Sequence, residues 1–246
     1  MSVDEALLAS ATQTASAVTL RLYEFERPTV TFGYGQDLAQ ACRAKKCAER
    51  GVDTIRRVTG GRALLHDREL TYCVTGPRIA PSAKATYARV TSAIRRGLTS
   101  LGLELDAPGT VAHRRAPKRL PCLSVATGHE ITVAGKKLVA SAMRFRRKGF
   151  LQHGSILWSV DDPLWRLLTH VPESEPIGAV GIHDLESSVG KSQLIDALGA
   201  AFREIFANDS DVPNEEASLT AAEAAHAAAL VTKYRSDGWN RSHALP

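Results

Sequence analysis

A glycine pair next to strand-like runs constrains the fold of this chain more than any other feature. Residues 56–67 read RRVTGGRALLHD, with Gly60 and Gly61 at the centre. Glycine has no Cβ, so this turn can adopt positive φ angles and bring its backbone N–H groups close to a ligand. The arginines of the segment place positive charge around the turn, and residues 63–65 are predicted to form a short buried strand. The pattern therefore favours a ligand with an apolar body and an anionic or polar head.

Hydrophobic periodicity predicts strands in hairpin-like runs rather than a strict alternation of strands and helices. Helical spacing is found at residues 4–17, 38–50, 86–101, 162–168, 191–207 and 220–235. Strand-like patterns are found at residues 20–25, 28–35, 53–58, 63–74, 130–133, 137–143 and 149–160. We therefore predict an α+β fold with a mixed, largely antiparallel sheet flanked by helices. Residues 1–246 are expected to form a single domain, with a polar linker near 209–218 followed by a C-terminal helix.

The composition is that of a globular chain, with 44% hydrophobic and 23% charged residues. No apolar run reaches the roughly 18 residues that span a bilayer. The N-terminus is acidic and lacks the apolar segment of a secretory signal, so we expect a cytoplasmic protein. The formal net charge is +5, and the excess is concentrated in residues 113–119 and 144–148. These basic segments are compatible with nucleic acid, with an acidic protein partner or with a solvated surface.

The four cysteines, Cys42, Cys47, Cys73 and Cys122, form neither a disulfide framework nor a C-x-x-C metal motif. We therefore expect free thiols and no metal site. Most free cysteines are small buried hydrophobic residues, and Cys73, which lies in a strand-like run, is expected to be one of them. Cys122 differs because it follows a basic loop, where nearby cations would favour the reactive thiolate.

Two blocks of the sequence resemble the catalytic family of lipoate and biotin protein ligases. The first is RRVTGGRALLHD followed by LTY at 70–72, which departs from the family's lipoyl signature only at Leu64. The second spans residues 122–157 and contains Glu130-Ile131, GKKL at 135–138, Ser141-Ala142 and LQHGSIL at 151–157. The resemblance covers nearly the whole chain and implies the mixed α+β fold of that family. At Ala140 the family has glycine, and the added methyl group is expected to narrow the acyl pocket.

Within this family the chain is most similar to the Cys-dependent octanoyl-[acyl carrier protein]:protein N-octanoyltransferases, which carry a cysteine at the offset of Cys122. The resemblance implies that Cys122 is the catalytic nucleophile and that Lys137 hydrogen-bonds the acyl carbonyl. It also implies a substrate-binding set of Arg57, Thr59, Gly60, Gly61, His66, Ser141, Ala142, His153 and Gly154. For His66 and His153 a structural role is the main interpretation, because an isolated histidine has no required chemistry here.

The reaction implied by this resemblance transfers an octanoyl group from acyl carrier protein, through a Cys122 thioester, to a lysine of a lipoyl domain. It requires no cofactor. Its partners would be octanoyl-acyl carrier protein and lipoyl-domain proteins, namely glycine cleavage H protein and 2-oxoacid dehydrogenase acyltransferase subunits. No nucleic acid or membrane partner is expected. Three alternatives stay open: an ATP-dependent lipoate–protein ligase using ATP and Mg²⁺, an octanoyl amidotransferase with H protein as donor, and a non-catalytic carrier- or nucleic-acid-binding module.

Overall fold

A computed structural model describes residues 1–13, 17–110, 121–124, 130–185, 188–207 and 216–242 of the chain. The helices are α1 (Ser2–Gln13), α2 (Leu38–Ala41), α3 (Ala44–Glu49), α4 (Ala83–Ser100), α5 (Asp162–Leu168), α6 (Lys191–Phe206) and α7 (Ala221–Arg235). The strands are β1 (Thr19–Tyr23), β2 (Thr29–Phe32), β3 (Asp53–Arg56), β4 (Leu64–His66), β5 (Glu69–Pro77), β6 (Ile131–Val133), β7 (Lys136–Phe145) and β8 (Gly149–Leu157). The predicted basic run at 113–119 and most of the predicted linker at 209–218 lie outside the described residues.

The strands form two sheets. The larger is antiparallel, with the order β1-β5-β8-β7-β6, and the smaller has the order β3-β2-β4. In the smaller sheet β2 runs parallel to β3 and antiparallel to β4. The predicted α+β class, with a largely antiparallel sheet flanked by helices, is confirmed.

Helices α4 and α6 cover the larger sheet through one continuous apolar core. Val90, Ile94 and Leu98 of α4 are buried in the same cluster as Leu194 and Leu198 of α6. The i, i+4, i+8 spacing of the three α4 residues places them on one face of the helix, which explains why the pattern predicted this helix well. Helix α1 packs against β5, β8 and α7.

Two local predictions differ from the structure. The strand-like run at 63–74 is divided into β4 and β5, which belong to different sheets and are separated by Asp67 and Arg68. The helix predicted at 38–50 is divided into α2 and α3, because the backbone N–H of Arg43 donates to Leu168 O at the end of α5 (2.8 Å). In both cases a contact between distant segments overrides a continuous local pattern.

A buried arginine attaches the C-terminal segment to the smaller sheet. The Arg56 guanidinium donates to the carbonyl oxygens of Trp239 (3.0 Å) and Asn240 (3.0 Å). It also donates to those of Tyr34 (2.7 Å) and Gln36 (2.5 Å) in the loop after β2. Arg56 is therefore a structural element behind the glycine turn. Among the described residues, no helix combines the length and the apolar character that crossing a bilayer requires.

Candidate active site

Cys122 lies in a single 3₁₀ turn, Cys122–Ser124, next to the glycine-rich strand segment. Its backbone N–H donates to Ala63 O just before β4 (2.8 Å), and the neighbouring Leu123 is fully buried. These two contacts anchor the turn. Of the four cysteines, Cys42, Cys47 and Cys73 are buried, whereas Cys122 is partly exposed. Burial raises the pKa of the Cys73 thiol well above its usual value, so Cys73 is an unreactive core residue as predicted.

Lys137 stands at the start of β7, after a tight hairpin turn. The turn residues Ala134 (φ 47°) and Gly135 (φ 74°) both have left-handed backbone angles, as a two-residue hairpin loop requires. Their N–H groups donate to the Asp106 carboxylate at 3.0 and 2.8 Å. The Lys137 backbone is also held by Gly178 O, which accepts from its N–H (2.8 Å). The strand position of this lysine is therefore fixed from both sides.

The Lys137 side chain is completely buried and reaches Cys122. Its Nζ lies 3.5 Å from Cys122 Sγ and donates to Cys122 O at 2.5 Å. A lysine is rarely buried without a compensating charge. Glu130 supplies that charge, because its Oε1 lies 2.7 Å from Nζ and both side chains are buried. The three residues form a Cys–Lys–Glu cluster.

Glu130 was matched to a family motif in the sequence but was not predicted as a site residue. A general signal for it exists, since a buried lysine needs either a ligand or an acidic partner. Glu130 is the first residue of the strand predicted at 130–133, which directly precedes the strand predicted to begin at Lys137. The sequence therefore identifies Glu130 only as a possible partner. The pairing of β6 with β7 in the folded protein brings its carboxylate to Lys137 Nζ.

A narrow cavity of about 30 Å³ opens beside Cys122. Eight of the predicted site residues line it: Arg57, Gly61, His66, Cys122, Ser141, Ala142, His153 and Gly154. The other lining residues are Met1, Arg62, Leu64, Thr71 and Ala140. Thr59, Gly60 and Lys137 do not line it but are joined to residues that do. Thr71 was missed as a site residue, because inside a buried strand a threonine has no local mark of function.

The glycine turn has the geometry that its sequence predicts. Gly61 has a φ of 93°, and a Cβ there would lie 3.3 Å from Arg57 Nη2 and 3.7 Å from the Cβ of Ala142. A Cβ on Gly33, at the end of β2, would collide with the carbonyl oxygen of Gly61. Because Gly33 and Gly61 have no side chain, the turn packs directly on the end of β2 and leaves room for the Arg57 guanidinium.

Arg57 is buried at the edge of the cavity. Its Nη1 donates to Thr31 Oγ1 (2.7 Å), and its Nη2 donates to Gly60 O (3.1 Å) and Arg62 O (2.9 Å). Burial lowers the pKa of Arg57 to about 10, and the negative charge of a Cys122 thiolate acts in the opposite direction. The guanidinium remains protonated at neutral pH.

Two buried histidine–carboxylate pairs flank the cavity. His66 Nδ1 lies 2.5 Å from Glu69 Oε1, and its Nε2 lies 2.6 Å from Thr31 Oγ1. His153 Nε2 lies 2.7 Å from Thr59 Oγ1, and its Nδ1 lies 3.5 Å from Asp4 Oδ2. Burial lowers the pKa of His153, while the Asp4 carboxylate opposes that shift. These contacts hold the ends of β2 and of the glycine turn in place.

The basic residues at 144–148 divide into two groups. Arg144 donates to Val58 O (2.5 Å) and lies over the ring of Tyr34, so it supports the strand entering the glycine turn. Residues 146–148 are exposed in the turn between β7 and β8. Within the described part of the chain, no group of three or more histidine, cysteine or acidic side chains is arranged to hold a metal ion.

Comparison with known proteins relates this geometry to a family. Octanoyltransferase LipM of Kyrpidia tusciae is 33% identical over 98% of this chain and 93% of its own length. The enzyme of the same name from Staphylococcus aureus is 31% identical over 97% of this chain and 92% of its own length. These names agree with the predicted octanoyltransferase.

Two solved structures share the fold. Lipoate-protein ligase A bound with ATP superposes with a TM-score of 0.81 at 23% identity, over 97% of this chain and 91% of its own. A bi-partite lipoate protein ligase from Thermoplasma acidophilum superposes with a TM-score of 0.77 at 21% identity, over 97% of this chain and 89% of its own. Residues 1–203 match the lipoyl protein ligase A/B catalytic domain. The chain therefore belongs to the lipoyl protein ligase A/B catalytic-domain family.

Proposed function

We propose that this protein is an octanoyltransferase of lipoate biosynthesis that carries the acyl group on Cys122. The observation that carries the proposal is the placement of Cys122 Sγ 3.5 Å from the buried Lys137 Nζ at the edge of a cavity. A partly exposed thiol beside a buried amine is suited to acyl transfer, because the sulfur can attack a carbonyl whose oxygen the amine stabilises. The relatives named octanoyltransferase LipM support octanoyl transfer as the reaction.

In the first half-reaction the Cys122 sulfur attacks the carbonyl carbon of octanoyl-acyl carrier protein. The S–C bond to Cys122 forms, and the negative charge that develops on the carbonyl oxygen is stabilised by Lys137 and by backbone N–H groups. The bond to the carrier sulfur then breaks, and the carrier leaves as a thiol with the proton that Cys122 gave up. The products are octanoyl-Cys122 and free carrier thiol.

In the second half-reaction the ε-amine of a lipoyl-domain lysine attacks octanoyl-Cys122. The C–N bond forms, the C–S bond breaks, and the proton lost by the amine returns to Cys122 as a thiol. Exchange of a thioester for an amide is downhill, so this route uses no ATP. The Glu130–Lys137 ion pair keeps the stabilising cation in place during both steps.

The acyl chain would enter the cavity lined by Gly61, Ala140 and Gly154. The cavity volume of about 30 Å³ is small for an eight-carbon chain. An eight-carbon chain therefore enters only with displacement of lining side chains, and the wall residues control which chain is accepted.

The proposed partners are octanoyl-acyl carrier protein as donor, and glycine cleavage H protein or 2-oxoacid dehydrogenase acyltransferase subunits as acceptors. The exposed residues 146–148, Arg-Arg-Lys, provide a positive surface at the turn after β7. Such a surface would attract acidic carrier domains and speed their association.

Intact-protein mass spectrometry tests the proposal. Incubation with octanoyl-acyl carrier protein should add one octanoyl group that hydroxylamine removes, and Cys122→Ser should abolish this thioester. Cys47→Ala, which alters a fully buried cysteine of α3, is the matched control and should keep the adduct. A parallel incubation with free octanoate and ATP separates a transferase from a ligase. An undiminished thioester in Cys122→Ser would refute the assignment.

A further inference from the structure

Arg57 is a buried cation whose charge has no carboxylate partner among the described residues. The residue is 5% exposed, and the groups that accept its hydrogen bonds are a hydroxyl and two carbonyl oxygens. Its Nε is buried without a hydrogen-bond partner. A buried charge that is solvated only by neutral groups is costly to keep, so its retention beside a cavity points to a role there.

The charge of the other buried cation of the site is already compensated. Lys137 is paired with Glu130 at 2.7 Å, so the pair contributes little net charge near Cys122. Arg57 lines the same cavity as Cys122. Its uncompensated charge can therefore act together with the Lys137 ammonium on a negative charge that forms at the sulfur or on the acyl carbonyl.

A directional chain of hydrogen bonds holds this guanidinium. Arg57 can only donate, so Thr31 Oγ1 accepts from it. The single proton of the Thr31 hydroxyl is then available for His66 Nε2, 2.6 Å away. That arrangement leaves the ring proton of His66 on Nδ1, which donates to Glu69 Oε1 at 2.5 Å. Glu69 Oε1 is fixed in turn by the Thr71 hydroxyl (2.7 Å), so each donor along the path from Arg57 Nη1 to Glu69 has an acceptor.

We propose that Thr31 and His66 are positioning residues, which hold Arg57 so that its positive charge acts on the anionic sulfur and on the tetrahedral intermediate at Cys122. The Thr31 hydroxyl connects the two groups, because it hydrogen-bonds both the Arg57 guanidinium and the His66 ring of the His66–Glu69 pair. The proposal rests on the assignment of Cys122 as nucleophile, made above.

A pair of alkylating reagents measures the charge at Cys122 separately from its exposure. Iodoacetate is anionic and iodoacetamide is neutral, so the ratio of their rates with Cys122 reports the local positive charge. Arg57→Met removes the charge and should lower the iodoacetate-to-iodoacetamide ratio by about tenfold or more. Thr31→Val keeps the volume but removes the hydroxyl, and should lower the ratio by about threefold or more, together with kcat for Cys122 octanoylation.

Two variants serve as controls. Thr31→Ser retains the hydroxyl and should restore both the ratio and kcat to nearly wild-type values. Thr29→Val removes another buried hydroxyl of β2, which donates to Arg27 O rather than binding Arg57, and should leave the ratio unchanged. If Thr31→Val does not fold, Thr31→Ala and Arg57→Met are compared with Thr31→Ser in the same assay.

The proposal is overturned if Arg57→Met leaves the ratio at the wild-type value, since the charge then does not reach Cys122. It is equally overturned if Thr31→Val behaves like Thr29→Val. Failure of the proposed function has a different signature: wild-type Cys122 would show the charge-dependent alkylation but would accept no octanoyl group from the carrier.

Discussion

Replacement of Lys137 by methionine separates the catalytic and structural contributions of the buried cluster. Methionine is similar in length to the lysine stem and can occupy the apolar part of the site. It removes the amine that lies 3.5 Å from Cys122 Sγ and 2.7 Å from Glu130 Oε1. The variant therefore loses a donor for the acyl carbonyl and at the same time leaves a buried carboxylate without its partner.

The two losses have different magnitudes and different readouts. Removal of one donor to a developing oxyanion typically lowers kcat by about 10²–10³. Removal of one partner of a buried ion pair lowers the free energy of unfolding by about 3–5 kcal/mol, a large part of the roughly 5–15 kcal/mol available to a typical domain. We therefore expect Lys137→Met to be both inactive and marginally stable.

The double variant Lys137→Met/Glu130→Gln distinguishes the effects. Glutamine removes the unpaired charge, so most of the lost free energy of unfolding should return, while octanoylation of Cys122 should remain about 10²-fold or more below wild type. Lys136→Met is the matched control, because Lys136 is the preceding residue of β7 and is exposed. It should be close to wild type in both measurements.

For each variant, urea unfolding gives the free energy of unfolding. Single-turnover octanoylation of Cys122, monitored by mass spectrometry, gives the rate of acyl transfer. The reasoning is refuted if Lys137→Met retains activity within tenfold of wild type. It is also refuted if the double variant regains activity along with stability, since Lys137 would then have only a structural role.

Two other substitutions test the wall and the support of the site. Ala140→Gly removes a buried methyl group that lines the cavity. It should raise the ratio of kcat/KM for decanoyl over octanoyl donors by about tenfold. An unchanged ratio would show that Ala140 does not limit the length of the acyl chain. Arg56→Met removes the donor for four backbone carbonyls and should lower the free energy of unfolding, measured in urea, by about 3 kcal/mol or more. A loss below about 1 kcal/mol would contradict the structural role assigned to Arg56.

Local patterns were sufficient for the elements whose stabilising contacts are close in sequence or periodic. The helix predicted at 162–168 coincides with α5, and the helix predicted at 86–101 differs from α4 by a few residues at its start. The strand-like patterns predicted at 130–133 and 137–143 correspond to β6 and β7, and Gly135 between them has the left-handed φ that a tight turn requires. A short strand at 63–65 was predicted, but its membership of a different sheet from β5 was not predictable, because a strand-like pattern does not say which strands pair.

The sequence by itself determined which residue types the site contains: the glycine turn, the cysteine after a basic loop, and the lysine at the start of a hairpin strand. Tertiary structure decided their partners, such as Thr59 with His153, which lie 94 residues apart in the chain. Side-chain periodicity reports only which face of an element is apolar. Pairings such as Lys137 with Glu130, or Thr31 with both Arg57 and His66, depend on the order and register of the strands, which many residues far apart in the chain determine together.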